Sequence, residues 1–481
     1  MKTCAFITLG CKVNQYETQA IRESLAARGF TEISPDHAAD FYIINTCTIT
    51  SVSDEKSRQY IRKVRRKNPD ATVVVTGCYA DADGDTIKKK EGVDYVITKK
   101  DEPHIAEIIC GSELHDNHIK EPFVLPLNDS NYNEDFTHVN LMSVRQKGKD
   151  RLAVIAPVRE RDNRRIKGPA LKHNSSSIYN LKISRFEGHT RAFLKIEDGC
   201  DVYCSYCIIP YIRGEINSRE LGEIEDEARR LIDNGYKEIV LTGIHLGAYG
   251  RDTNGERGLI DVIEMLIDLP GIERLRLSSI EVNEITDDLI SLVAGSDKIC
   301  PHFHIPLQSG DDFILKRMNR KYTAFQYLNT LDKIHSKIVM PSFTTDVMVG
   351  FPGEKDEHFE NTVNVCKKAG FSRMHIFPFS VRKGTPAAKM NEHCASQVIK
   401  QRKKGLEGIA EGLAVSYKKH FLNKYVDVLV ETERDEKTNR LCGYSERYIK
   451  VLFGGPDDIK NTIVSVLVKD IKPSFVVGIL K

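Results

Sequence analysis

The chain has 481 residues, 41% of them hydrophobic and 29% charged, and its 70 Lys+Arg against 68 Asp+Glu leave a net charge of +2. At roughly 150 residues per domain this length allows about three domains, and the composition excludes a disordered chain, a disulfide-scaffolded miniature and a binder that works through bulk charge. No apolar run is long enough to span a bilayer, MKTCAFITLGCKVN reads as a first strand without a cleavage site, and twelve Cys without an export signal point to a reducing, cytoplasmic setting.

Residues 1–111 alternate strand-like and helix-like patterns: Ala5–Leu9, a helix over Asn14–Arg28, Phe41–Ile44, a helix over Asp54–Lys67, Thr72–Thr76, a helix near Asp83–Glu91, and Tyr95–Ile97. Such alternation predicts a doubly wound parallel sheet. Residues 112–188 lose periodicity and read as a basic, variable linker or insert, with 13 Lys/Arg against 4 Asp/Glu between 145 and 191. A second alternating block, 189–417, has strand-like runs at Ala192–Ile196, Glu238–Thr242, Arg274–Leu277, Phe303–Pro306, Phe343–Val349 and Met374–Phe379. Six βα units suit a full or partial (β/α) barrel, with its site at the carboxyl ends of the strands. Residues 418–481 are β-rich runs divided by Gly, Pro, Asn and Asp, which predict a small antiparallel barrel carrying 12 Lys/Arg against 9 Asp/Glu.

Cysteines carry the chemistry. Asp198-Gly199-Cys200-Asp-Val-Tyr-Cys204-Ser-Tyr206-Cys207 is a C-x3-C-x2-C run just past the first barrel strand. Three thiolates on one loop suit three corners of a cubane iron–sulfur cluster, whose full shell takes four Cys, so that one iron stays open. The alternatives are a zinc site, for which no fourth ligand follows nearby, or three incidental thiols. Cys11, Cys47 and Cys78 each follow one of the first three strands, where the loops of an open α/β sheet converge; the alternative is a trio of core cysteines. Cys4 lies within the first strand and reads as structural. Cys110, Cys300, Cys366, Cys394 and Cys442 show no ligand pattern.

The Cys200 motif, with an aromatic before its last cysteine, resembles that of the radical S-adenosylmethionine (SAM) enzymes. Thr8-Leu9-Gly10-Cys11-Lys12-Val13-Asn14, Asn45-Thr46-Cys47-Thr48 and Thr76-Gly77-Cys78 look like the first domain of the methylthiotransferases. Gln15-Tyr16-Glu17-Thr18, Lys56-Ser57-Arg58-Gln59, Arg185-Phe186-Glu187-Gly188-His189-Thr190-Arg191-Ala192 and Ile208-Ile209-Pro210 place the resemblance nearest the tRNA threonylcarbamoyladenosine methylthiotransferases. The terminal segment resembles a TRAM domain, an RNA-binding module.

The resemblance implies two [4Fe-4S] clusters. One, on Cys200, Cys204 and Cys207, chelates SAM and cleaves it to a 5′-deoxyadenosyl radical. The other, on Cys11, Cys47 and Cys78, carries the sulfur to be inserted. The implied reaction is transfer of a methylthio group to C2 of N6-threonylcarbamoyladenosine at tRNA position 37, beside the anticodon. An electron donor such as flavodoxin or ferredoxin and a sulfur donor are implied partners. Alternatives within the family are isopentenyladenosine tRNA and a ribosomal-protein aspartate; a non-catalytic iron–sulfur RNA-binding protein would have no use for open irons.

Further residues have a functional and an ordinary reading. Tyr206, Gly243 after the second barrel strand, Gln308 after the fourth and Gly350 after the fifth are candidate SAM contacts; the ordinary readings are a βα turn, a polar loop and, at Gly350, a tight turn capped by Glu354. His302 and His304 alternate with apolar residues, which expects at least one satisfied barrel histidine. Arg62 and Arg66 on the helix after Cys47, and Arg382 after the sixth strand, are candidate tRNA contacts; a solvated helix face is the alternative for the first two.

Overall fold

The computed structural model describes residues 2–116, 182–253 and 257–481. Most of the basic segment at 112–188 therefore lies outside the described residues.

The first unit runs Thr3–Thr8 (β1), Lys12–Ala26 (α1), Thr31–Glu32 (β2), Phe41–Thr46 (β3), Ser51–Lys67 (α2), Thr72–Gly77 (β4), Cys78–Glu91 (α3), Tyr95–Val96 (β5) and Ile105–Asp116 (α4). The strands form one parallel sheet in the order β2-β1-β3-β4-β5. Apolar β-branched residues fill its middle: Ile43, Ile44, Val73, Val74 and Val75 are fully buried, as a sheet covered on both faces requires. Thr50 caps α2 by accepting from the Ser53 N–H at 3.2 Å, and Arg65, Arg66 and Lys67 occupy its last turn, where cations suit the helix dipole. Two details differ from the expectation. The two-residue β2 is too short to show a pattern, and α3 starts at Cys78, five residues early, with a kink at Asp83.

The second unit runs Ala192–Lys195 (β6), Glu197–Asp198 (β7), Ile209–Arg213 (α5), Asn217–Ser218 (β8), Leu221–Asp233 (α6), Glu238–Thr242 (β9), Leu259–Asp268 (α7), Arg274–Leu277 (β10), Asp287–Gly295 (α8), His302–His304 (β11), Asp312–Arg317 (α9), Ala324–Lys337 (α10), Ser342–Val349 (β12), Asp356–Ala369 (α11), Arg373–Pro378 (β13) and Ser396–Lys419 (α12). Two parallel sheets, β10-β9-β6 and β11-β12-β13, are joined by bridges Leu275↔Ile299 and Ser279↔His304. The result is an open six-stranded barrel running from β6 to β13. Its core takes in Tyr16 and Ala20 of α1, and also Ile183 and Phe186, which sequence periodicity had left in the linker.

The third unit comprises Tyr425–Val430 (β14), Leu441–Ser445 (β15), Lys450–Gly454 (β16), Ile463–Ile471 (β17) and Val476–Leu480 (β18), closed in the order β14-β15-β16-β18-β17. The expected all-antiparallel barrel needs one correction: β16 and β18 pair in parallel. They are separated by β17, so no hairpin links them, and alternation within a strand does not reveal its partner. Helix α12 delivers Tyr417 into this third core, so the expected boundary at 417/418 falls inside an element. No helix among the described residues is long and apolar enough to cross a membrane.

Candidate active site

Parallel pairing of β1, β3 and β4 places the segments after Thr8, Thr46 and Gly77 side by side; Cys47 and Cys78 come first in theirs and Cys11 third in its own. Gly77 has φ +90°, and a β-carbon there would run into Asn45 and the Thr46 backbone. Only glycine lets the chain turn that tightly into Cys78. Asn14 knits the loops together. Its Nδ2 donates to Leu9 O (3.1 Å), Asn45 Oδ1 (2.9 Å) and Thr46 O (3.0 Å), while its Oδ1 accepts from the Cys11 Sγ at 3.3 Å. The three thiols sense one another: Cys11 raises the pKa of both Cys47 and Cys78. Burial is the larger cause and takes Cys78 to about 11.

The second trio sits on the loop after β7. Gly199 turns it at φ +93°, against the backbone of Glu215. Burial pushes Cys200 and Cys207 each up to about 12, and Cys204 raises both further. Cys207 also feels Cys78, and Arg213 reaches both Cys78 and Asp198, so the two trios are neighbours. Each has a guanidinium beside it. Arg213 Nη2 approaches Cys78 Sγ at 3.6 Å, and Arg320 Nη1 donates to Cys204 Sγ at 3.4 Å. Burial first, and neighbouring thiols second, favour the protonated form of Cys47, Cys78, Cys200 and Cys207; with arginines at hand this suits a metal-bound thiolate set, in which binding displaces the protons and the cations offset the charge. Among the described residues no three His, Cys, Asp or Glu side chains converge as they would on a single metal ion. Ligands at separate corners of a cubane have no need to converge on one point.

A buried charge network locks the trios together. Glu17 of α1 pairs with Lys99, with Lys195 (3.3 Å) and with Arg213 (3.0 Å); Asp198, two residues before Cys200, pairs with Lys195 (2.5 Å) and Arg213 (2.9 Å). These cations hold Glu17 far below the usual carboxylate range and Asp198 at about 2, against the burial that pushes both up. Sequence reading missed this network, since its members are scattered and each lies in an ordinary helix or strand. Glu17→Gln leaves buried cations undercompensated and should cost about 3–5 kcal/mol at neutral pH. A depressed pKa contributes stability above the ordinary value of about 4.5 and loses it as pH falls. The melting-temperature gap between wild type and Glu17→Gln should therefore narrow steadily from pH 5 to pH 3; a constant gap would contradict the assignment.

Four buried oxygens at successive strand ends have no hydrogen-bond partner among the described residues: Glu197 Oε1, Thr242 Oγ1, Ser278 Oγ and Gln308 Oε1. Burial lifts Glu197 to about 8. Groups of this kind suit a ligand with an ammonium group and hydroxyls to donate, which SAM has. Beside the Cys200 loop, a cavity of about 200 Å³ is lined by Asp201, His245, Glu281, Glu284, Arg320 and Tyr322, among others. Gly243 admits close approach, for a β-carbon there would lie 2.6 Å from Glu197 Oε2. Gln308 holds φ +59° and is buried. Tyr206 packs edge-on against Phe351 with its hydroxyl in the interior. Gly350 fits its ordinary reading, a tight turn closed by Glu354. Its open side faces Ile399 of α12 and its N–H donates to Glu354 Oε1 at 3.1 Å, so it serves the tight turn and helix packing. His302 and His304 both bond Thr344 Oγ1, at 3.0 and 2.9 Å.

Two of the three arginines expected at tRNA have other engagements. Arg62 forks onto Glu91 with two 2.7 Å bonds. Arg382 is buried and pairs with Asp54, bracing the β13 loop against the Cys47 loop, where Thr48 also bonds Asp54. Arg66 is exposed on an open groove of about 530 Å³, but fifteen residues of helix separate it from Ser51, about 22 Å of rise.

Residues 3–98 match the Uncharacterized protein family UPF0004, and residues 194–366 match the Radical SAM superfamily. The chain is 37% identical over 469 residues to "Threonylcarbamoyladenosine tRNA methylthiotransferase MtaB" of Bacillus subtilis (strain 168), covering 97% of this chain and 93% of that protein. This chain belongs to the radical SAM methylthiotransferase family. The protein of the same name from Thermotoga maritima is 34% identical, covering 95% of this chain and 92% of its own length. A "tRNA-2-methylthio-N(6)-dimethylallyladenosine synthase" of Carboxydothermus hydrogenoformans is 30% identical over 482 residues, covering 100% and 99%. Among solved structures, the radical SAM methyltransferase TsrM from Kitasatospora setae matches with TM-score 0.51 at 15% identity over 78% of this chain and 73% of that one, a likeness of fold. Membership of the radical SAM superfamily brings SAM and a [4Fe-4S] cluster as cofactors.

Proposed function

We propose that this enzyme transfers a methylthio group to C2 of N6-threonylcarbamoyladenosine at position 37 of tRNA, giving the 2-methylthio derivative. The observation that carries the reading is the pair of neighbouring cysteine trios, each with its own arginine, in a chain that threonylcarbamoyladenosine tRNA methylthiotransferases match over nearly its full length. Cys200, Cys204 and Cys207 are assigned to the cluster that binds SAM, and Cys11, Cys47 and Cys78 to a second cluster. When bound, the two supply electrons for reductive cleavage of SAM and the sulfur that is transferred.

The chain's own work is binding and placement. The thiolates hold the irons, Arg213 and Arg320 offset their charge, and the Glu17 network fixes the separation between the trios. Glu197, Thr242, Ser278 and Gln308 offer acceptors to SAM at the strand ends, with Tyr206 and Gly243 beside them. Barrel walls exclude water from an abstraction at a strong, unpolarised C–H bond, where acid–base groups would be of no use. An anticodon-loop base is already partly unstacked, so presenting it costs less than extrusion from a duplex. Arg66 and the C-terminal barrel are the candidate tRNA surfaces, and a low-potential electron donor and a sulfur donor complete the partners.

Nucleoside mass spectrometry of tRNA from cells with and without this protein tests the reading. Loss of 2-methylthio-N6-threonylcarbamoyladenosine alone is expected. Loss of the methylthiolated isopentenyladenosine instead would overturn the substrate assignment.

A further inference from the structure

Lys12, the first residue of α1 and the covalent neighbour of Cys11, is a cation at the open barrel that forms no ion pair among the described residues. Its charge registers at Tyr448, His302, Asp346 and His375, and it feels Arg191 and Arg276 in turn. These groups lie on β10–β13 and the third unit, so its charge acts at the mouth between them. Among the other charges here, Arg373 is exposed to solvent, and three side chains have partners. Arg191 bonds Glu431 at 2.8 Å, Arg276 bonds Glu238 at 2.6 Å, and Asp346 faces His304 at 3.3 Å. Lys12 has neither a hydrogen bond nor an ion pair among the described residues. A cation withdrawn from water beside two guanidiniums is costly unless an anion arrives.

The surroundings suit a planar ligand as well as an anionic one. Tyr444 and Tyr448 stack with centroids 5.0 Å apart, Arg191 lies 4.6 Å over Tyr444, and Arg276 lies 4.9 Å over Tyr448. Tyr448 ionises more readily than an ordinary tyrosine despite its burial, because Arg191, Lys12 and Arg276 surround it. It also lines a cavity of about 540 Å³ between β13, α12 and the third unit, with Arg373, Met374 and Tyr444. The site is thus positive, partly aromatic, and one peptide bond from a proposed cluster ligand.

We propose that Lys12, backed by Arg191 and Arg276, binds the carboxylate of the modified adenine's side chain and so sets the enzyme's preference for an acidic over an uncharged hypermodified base. The inference rests on the threonylcarbamoyladenosine reading, since an isopentenyl group offers no anion to Lys12.

The test pairs two RNAs with two proteins. Anticodon stem-loops carrying N6-threonylcarbamoyladenosine, as the free acid or its methyl ester, are bound to reconstituted enzyme without reductant, and affinity is read by fluorescence anisotropy. Wild type should prefer the acid by roughly tenfold or more, the scale of one charge-assisted hydrogen bond. Lys12→Gln should bind both alike, and Lys12→Arg should keep most of the preference. In turnover, the Lys12→Gln loss should fall on KM more than on kcat. A wild type indifferent to esterification, or a Lys12→Gln protein that still prefers the acid, overturns the proposal. Loss of iron from Lys12→Gln would overturn it too, assigning Lys12 to support of the cluster. Failure of the underlying reading looks different: wild type would then methylthiolate the isopentenyladenosine stem-loop and leave the threonylcarbamoyl one untouched.

Discussion

Replacing Cys200, Cys204 and Cys207 together by alanine should abolish 5′-deoxyadenosine formation under strong reductant while leaving the iron of the other trio in place. The loop they occupy is built by groups the substitution does not touch. Gly199 makes its turn, the Cys200 N–H donates to Gly214 O at 3.0 Å, and the Ser205 N–H donates to Met318 O at 2.9 Å. Arg320 loses a sulfur neighbour but keeps Glu281, so no buried charge is stranded. No other cysteine can stand in. Cys300 and Cys366 are enclosed in the barrel wall, and Cys394 is held at Phe351 and Glu354 on the far side of the turn after β12. The expected result is complete loss of cleavage with about half the iron per chain retained. The measurement is chromatography of the nucleoside product alongside iron analysis. Cleavage that survives the triple replacement would remove these residues from the SAM-binding assignment.

Both trios were legible in the sequence because each rests on short-range information: three thiols within eight residues in one case, and cysteines shortly after apolar strand-like runs in the other. Parallel pairing then brings distant strand ends together without further instruction. The Glu17–Lys99–Lys195–Arg213–Asp198 network was not legible. Each member reads as a solvent-facing charge, and only the docking of α1 onto the barrel buries them. Arg62 and Arg382 misled for the same reason. A cation's availability depends on whether a carboxylate from another element reaches it, and Glu91 and Asp54 do. At Gly350 the motif correctly marked a glycine, but which face of the turn needs the space was settled by α12, which arrives some fifty residues later. Lys12 was read only as part of a motif; that it forms no ion pair among the described residues emerges when β10–β13 and the third unit are assembled around it.

Replacing Cys11, Cys47 or Cys78 singly by alanine should leave SAM cleavage running and stop methylthiolation, a separation of two activities by positions in another unit of the fold. Cys78→Ala is the cleanest case. Arg213 approaches its sulfur but is anchored by Glu17 and Asp198, so the barrel loop and the docking of α1 should survive its loss. Trimming one buried thiol leaves a small void, worth about 1 kcal/mol or somewhat more, too little to unfold a chain of three cores. Cys11→Ala costs Asn14 only one weak contact, for that side chain keeps its bonds to Leu9, Asn45 and Thr46. Any fall in product therefore reports on the thiolate itself. With threonylcarbamoyladenosine stem-loop RNA, each variant should form 5′-deoxyadenosine at a rate near wild type while methylthiolated nucleoside drops below detection. Full product from any one of the three would show that the first unit does not carry the sulfur. Loss of cleavage together with product would mean that the trios depend on each other for assembly, with Arg213, shared between Cys78 and Asp198, as the coupling residue to test next.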